Sequence, residues 1–188
     1  MFNSHGQAIM NFKVGSKVFY PSHGAGWIKD QKEIEFSGQK KMYYEFEFIN
    51  SPISISTPLD NVNNLNIREV ESPEKIKEKI SVLKKTPSKD PKTKDFNKLI
   101  EIFKKLADQA TIESAIETIQ YCNFVKKIRE KDGRLIPVSI ENELNRAVGD
   151  IVGELAVSSG TKFETAAKTF EKVTGIKADI TQSKYYNR

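Results

Sequence analysis

The chain has 188 residues, enough for one large domain or two small ones. Hydrophobic residues make up 38% and charged residues 29%, which excludes a wholly disordered chain; the net charge is a modest +5. No apolar run approaches the roughly 20 residues of a membrane span, the first ten residues lack a signal-peptide pattern, and the single cysteine, Cys122, excludes an intramolecular disulfide or a cysteine-cluster zinc site. A soluble, cytoplasmic protein without membrane contact is expected.

The first half has the patterning of strands. Ser16–Tyr20 alternates and ends at Pro21; Ser22-His23-Gly24-Ala25-Gly26 is a turn cluster. Trp27–Phe36 resumes the alternation, and Ser37-Gly38-Gln39-Lys40 fits a tight hairpin turn. Lys41–Ile49 places Met42, Tyr44, Phe46 and Phe48 on one face, with Tyr43, Glu45 and Glu47 on the other. Ile53–Thr57 alternates again before Pro58, and a short fifth strand is expected near Leu65–Val70. Short strands at this spacing predict a small, bent antiparallel β-barrel. Trp27 and the aromatic stripe are expected to supply much of its core.

From Ser72 the period becomes helical. Ser72-Pro73 caps a predicted helix over Glu74–Lys85, and Pro87 and Pro91 break it. A helix over Thr93–Asp108 carries Phe96, Leu99, Ile102, Phe103 and Leu106 as its apolar stripe. A third spans Thr111–Lys131, and Asp132-Gly133 ends it. A fourth begins at Pro137 and closes at Ser159-Gly160. Thr161-x-x-Glu164 predicts a capping box for a fifth, which stops at Gly175. Gly149 and Gly153, four apart in the fourth helix, predict a close helix crossing. The fold class is therefore α+β: a β domain over 10–70 and an all-α bundle of about five helices over 71–175. Residues 1–9 form an extension expected to be disordered, and 176–188 a flexible tail.

Residues 1–70 balance seven Lys+Arg against seven Asp+Glu. Lys84–Lys98 holds six lysines against two aspartates, so most of the excess charge sits in one window. Two readings are open: a phosphate-contacting strip, or a solubilising linker. Phe96 has two readings as well. It is a core residue with Leu99 and Phe103, or an apolar wedge among lysines. Gly24-Ala25-Gly26 lacks the context of a phosphate loop and is a structural turn, with His23 hydrogen-bonding inside it. Cys122 lies on an apolar stripe and is expected to be a buried thiol. With no His–Asp partner set, metal ligands or nucleotide motif, neither catalysis nor a cofactor is expected.

The run Val18-Phe19-Tyr20-Pro21-Ser22-His23-Gly24-Ala25-Gly26 resembles the opening signature of the CarD/CdnL family. The hairpin with Gly38, Tyr43-Tyr44, Pro58-x-x-Asn61-Val62, Asn66-Ile67-Arg68 and Val152-Gly153-Glu154-Leu155-Ala156 are also similar. The resemblance implies a bacterial regulator of transcription initiation. Its Tudor-like barrel would bind the RNA polymerase β subunit, here through Ile34, Phe36, Ile53, Ile55 and Ser56. Its helical domain would contact promoter DNA in the minor groove and along the phosphate backbone, through Lys85, Lys89, Lys92, Lys94, Phe96 and Lys98, and stabilise the open complex. A nucleoid-associated monomer is expected, and the resemblance implies that translation starts at Met10. The sequence departs in two places. The family's frequent wedge tryptophan is absent, leaving Phe96 nearest its position, and arginines facing polymerase in some members are replaced near Ile34 and Ser56. The alternative is a polymerase-binding adapter without direct DNA contact.

Overall fold

A computed structural model describes residues 12–36 and 38–178, with only the backbone of residue 36. The expected extension over 1–9, and the part of the expected tail from 179 onward, lie outside these residues. The first unit is a five-stranded antiparallel sheet: β1 (Lys17–Tyr20), β2 (Gly24–Phe36), β3 (Gln39–Phe48), β4 (Ser51–Pro58) and β5 (Arg68–Glu69). Its order is β4-β3-β2-β1-β5. The expected closed barrel is not what forms. The edges β4 and β5 are far apart in that order and no ladder joins them among the described residues.

Alternation builds the core as expected. Val18, Ile28, Tyr44, Phe46 and Phe48 are buried together with Phe12, Val62 and Ile67. The Tyr44 hydroxyl donates to the Phe12 carbonyl at 2.9 Å, which satisfies the one polar atom this ring brings inside. Met42 departs from its stripe and is 39% exposed. It pairs with Glu33, well along the hairpin arm from the core. Trp27 departs as well. It lies half-buried on the opposite face of the sheet, with Phe19 and Ala25.

Six helices follow: α1 (Pro73–Ile80), the single turn α2 (Val82–Lys85), α3 (Phe96–Gln109), α4 (Ile112–Lys131), α5 (Val138–Ser159) and α6 (Phe163–Thr174). Ser72 caps α1 by accepting from the Lys75 N–H, and a break at Ser81 separates α1 from α2. Thr111 and Ser114 form a reciprocal capping box on α4. The box expected at Thr161 and Glu164 does not form. Thr161 N–H instead donates to the Ala156 carbonyl at 3.0 Å, and Gly160 N–H to Val157 at 3.3 Å, so Thr161 serves the end of α5. Lys162 becomes the N-cap of α6 without a side-chain bond.

The two units share a core. Phe19 and Ala25 of the sheet pack with Ala110 and Val157 of the helices. Across this seam the Arg68 guanidinium grips the Glu154 carboxylate with two bonds of 2.6 and 2.7 Å. Glu154 is only 1% exposed. Arg68 Nε also donates to the Ala110 carbonyl at 2.6 Å, and its guanidinium lies 4.8 Å above the Phe19 ring. Gly153 faces Ala25 and Ile49 of the sheet at distances that leave room for a Cβ, so it does not serve the close helix crossing expected. Of the expected tail, Ile176 and Ala178 pack on the helical core, and Ala178 N–H donates to Glu171 at 2.9 Å.

Candidate functional site

Two surfaces carry the predicted residues. The first is the β4 side of the sheet. Register separates the five expected there. Ile34 pairs with Lys41 and Ser56 with Glu45, two β3 positions on one face, whereas Ile55 pairs with Phe46 and packs on the core from the other. Ile53 is 48% exposed on the edge strand itself. Of Phe36 only the backbone is described, paired with Gln39. Cross-strand pairs balance charge on the outer face: Lys32 with Glu45 at 2.6 Å and Lys29 with Glu47 at 2.7 Å. What this surface offers a partner is a strand edge that no described residue pairs, with modest charge.

The signature glycines hold the other end of the sheet. Gly24 has φ +84°, a conformation L side chains rarely adopt. At Gly26 a Cβ would stand 1.9 Å from the Glu47 carbonyl oxygen, so only glycine fits between β1 and β3. His23 uses its backbone N–H to close the turn onto Tyr20 at 3.1 Å. Its ring packs edge-on to Tyr20 at 5.0 Å and tilted over Phe48 at 5.5 Å. Burial against these rings holds its pKa below the usual histidine value. Cys122 is buried with Leu99, Phe103 and Ile140, and burial pushes its thiol up to about 12.

The second surface is the lysine strip. Residues 86–90 do not form a loose linker. Gln120 and Asn123 of α4 donate to the Thr86 and Pro87 carbonyls at 2.7 and 2.9 Å, and Lys89 N–H donates to the Gln120 carbonyl at 3.1 Å. Lys89 also pairs with Glu117 at 2.6 Å and lies 5.5 Å over the Tyr121 ring, so its ammonium is already engaged. Lys85, Lys92, Lys94 and Lys98 are exposed. Lys92 has φ +59° and its N–H donates to Asp90 at 2.8 Å.

Phe96 is not in the core: it is 41% exposed. The reason is its place in the helix. Asp95 caps α3 by accepting from Asn97 and Lys98, which makes Phe96 the first helical residue. Side chains on a helix lean toward its N-terminus, so this ring overhangs the 90–95 segment. There it lines a groove of about 700 Å³ with Phe124, Ile128, Arg129 and Arg134 of α4 and its C-terminal turn. The signal for this cap, Asp95 before an amphipathic run, stood in the sequence. The basic stretch at the end of α4, Lys126-Lys127-Ile128-Arg129, is a second signal in the sequence for this surface.

Residues 12–71 match the family model described as CarD-like/TRCF RID domain. The chain is also 36% identical over 59 residues to the Bacillus subtilis (strain 168) protein named "Putative transcription factor YdeB". That match covers 31% of this chain and 39% of the relative's length. No helix among the described residues is long and apolar enough to cross a membrane.

Proposed function

We propose that this protein regulates bacterial transcription initiation by bridging RNA polymerase and promoter DNA. The observation that carries the reading is the CarD-like/TRCF RID match on a unit with a free β4 edge. The edge offers unpaired backbone groups to a strand of the polymerase β subunit. The helical unit offers Lys92, Lys94 and Lys98 to phosphates, with the half-exposed Phe96 among them as the apolar insertion group. Each contact can be weak, because binding one partner raises the effective concentration of the other. Preference for open over closed promoter DNA stabilises the open complex by that difference alone, and about 1.4 kcal/mol gives a tenfold gain.

Ile53→Asp places a carboxylate on the exposed edge without touching the core. The full chain carrying it is expected to lose recovery of the β subunit from purified polymerase while its melting temperature holds. Undiminished recovery removes the edge from the binding surface. The adapter reading, polymerase contact without DNA, is favoured by one observation: Lys89, central to the strip, is already paired with Glu117. Absence of any mobility shift of promoter DNA by the full chain would select it.

A further inference from the structure

We infer that the groove between the start of α3 and the end of α4 accepts an unpaired nucleotide of single-stranded nucleic acid. This inference rests on the DNA-binding reading above and names the form of DNA this one site takes. The groove measures about 700 Å³, within the range of small-ligand sites. Two aromatic rings line it, Phe96 from α3 and Phe124 from α4, and Ile128 adds an apolar side chain that is 40% exposed. Lys94, Arg129 and Arg134 stand among the same lining residues. Arg134 is held in place by the end of α4, where its N–H donates to the Arg129 carbonyl at 2.8 Å.

Charge selects a polyanion. The groove lining holds Lys92, Lys94, Arg129 and Arg134 against Asp90, Asp95 and Asp132, and the surrounding segments 89–98 and 126–134 together hold nine lysines and arginines against four acids. The aspartates among the lining residues are occupied locally. Asp90 accepts from Lys92 N–H at 2.8 Å and pairs with its ammonium at 3.8 Å, Asp95 caps α3, and Asp132 pairs with Arg134, which leaves the Lys94 ammonium as the cation a phosphate meets first.

The rings select unpaired bases. A stacked duplex presents base edges and exposes a base face only where a step is unstacked at a cost, whereas an unpaired base offers its face to a ring directly. Aromatic groups beside cations that follow the backbone are the arrangement single-stranded nucleic acid requires. The exposed Leu135, next to Arg134, extends the apolar rim beyond the groove.

The test uses the full chain at one fixed salt concentration. Fluorescence anisotropy compares a labelled oligothymidylate with a random-sequence duplex of equal length. Tighter binding of oligothymidylate is expected. Phe124→Leu and Ile128→Ser should weaken it at least fivefold while changing duplex binding less than twofold. Since Phe124 is half-buried, thermal unfolding checks each variant. Phe124→Trp gives a second readout, a new emission that stacked thymine should quench. Equal losses on both nucleic acids, or no loss, overturn the groove as a base site and leave the phosphate contacts standing. So does a polyglutamate peptide that binds in an Ile128-sensitive way where oligothymidylate does not. Binding of oligothymidylate without duplex binding supports the groove and removes the duplex contact. Failure of both nucleic acids to bind removes both readings.

Discussion

Two glycines in this chain have opposite tolerance for a methyl group. A Cβ on Gly26 would enter the β3 backbone, 1.9 Å from the Glu47 carbonyl oxygen. Backbone paired on both sides cannot yield, so Gly26→Ala should cost at least the upper end of the about 1–3 kcal/mol typical of overpacking. On Gly153 the same methyl group would meet Ile49 at 3.6 Å, an ordinary contact. Gly153→Ala should therefore gain about 0.5–1 kcal/mol from reduced chain entropy in α5. Urea unfolding of the two variants reads both signs. His23 adds a pH dependence. Burial favours its neutral form, so the unfolded chain binds the proton more readily. Its contribution to stability is present above the ordinary value of 6.5 and is lost as pH falls toward the lower folded value. His23→Gln should flatten the melting-temperature profile across that window.

At the scale of elements, the seam depends on one buried ion pair. Arg68 on β5 and Glu154 on α5 are 86 residues apart, and Glu154 is shut away from water. Removing one partner strands the other, so Arg68→Met or Glu154→Met should each cost about 3–5 kcal/mol. The double variant should cost clearly less than the two losses added, and a double-mutant cycle in urea measures the difference. This pair marks where reading by local pattern stops. Alternation placed Tyr44, Phe46 and Phe48 inside, and Ser72, Thr111 and Gly133 punctuated the helices, because those rules act within a few residues. Pairing across 86 residues leaves no local trace; both partners stood in family-like segments, yet nothing nearby tied them together. The open sheet eluded the sequence for the same reason, since closure depends on whether two distant edges meet. Phe96 had two readings in the sequence, core and wedge, and its exposure excludes the core. Its period with Leu99 and Phe103 is real, but a helix beginning at Phe96 points the ring past its own end. Thr161 had the spacing of a capping box, and the end of α5 claimed it first.

Over the whole molecule, the seam fixes the strand edge relative to the lysine strip. A shared core and the Arg68–Glu154 pair join the two units without a flexible spacer, so any partner held by the edge meets the strip at a set position. The strip's own contribution can be measured by salt. Each lysine that neutralises a duplex phosphate contributes roughly 0.9 to the slope of log affinity against log salt. Replacing Lys92, Lys94 and Lys98 together by Ala should therefore lower the slope by about 2.7, and by the same amount for any duplex sequence. Lys89 supplies the contrast. Its ammonium is already paired with Glu117, so Lys89→Ala should change the slope by well under the single-contact value and should instead loosen the 86–90 segment on α4. Fluorescence anisotropy of the full chain on a duplex between about 50 and 200 mM salt gives each slope. A triple variant with the slope of the parent chain would put those lysines on a solvated surface, and polymerase contact alone would then account for the protein.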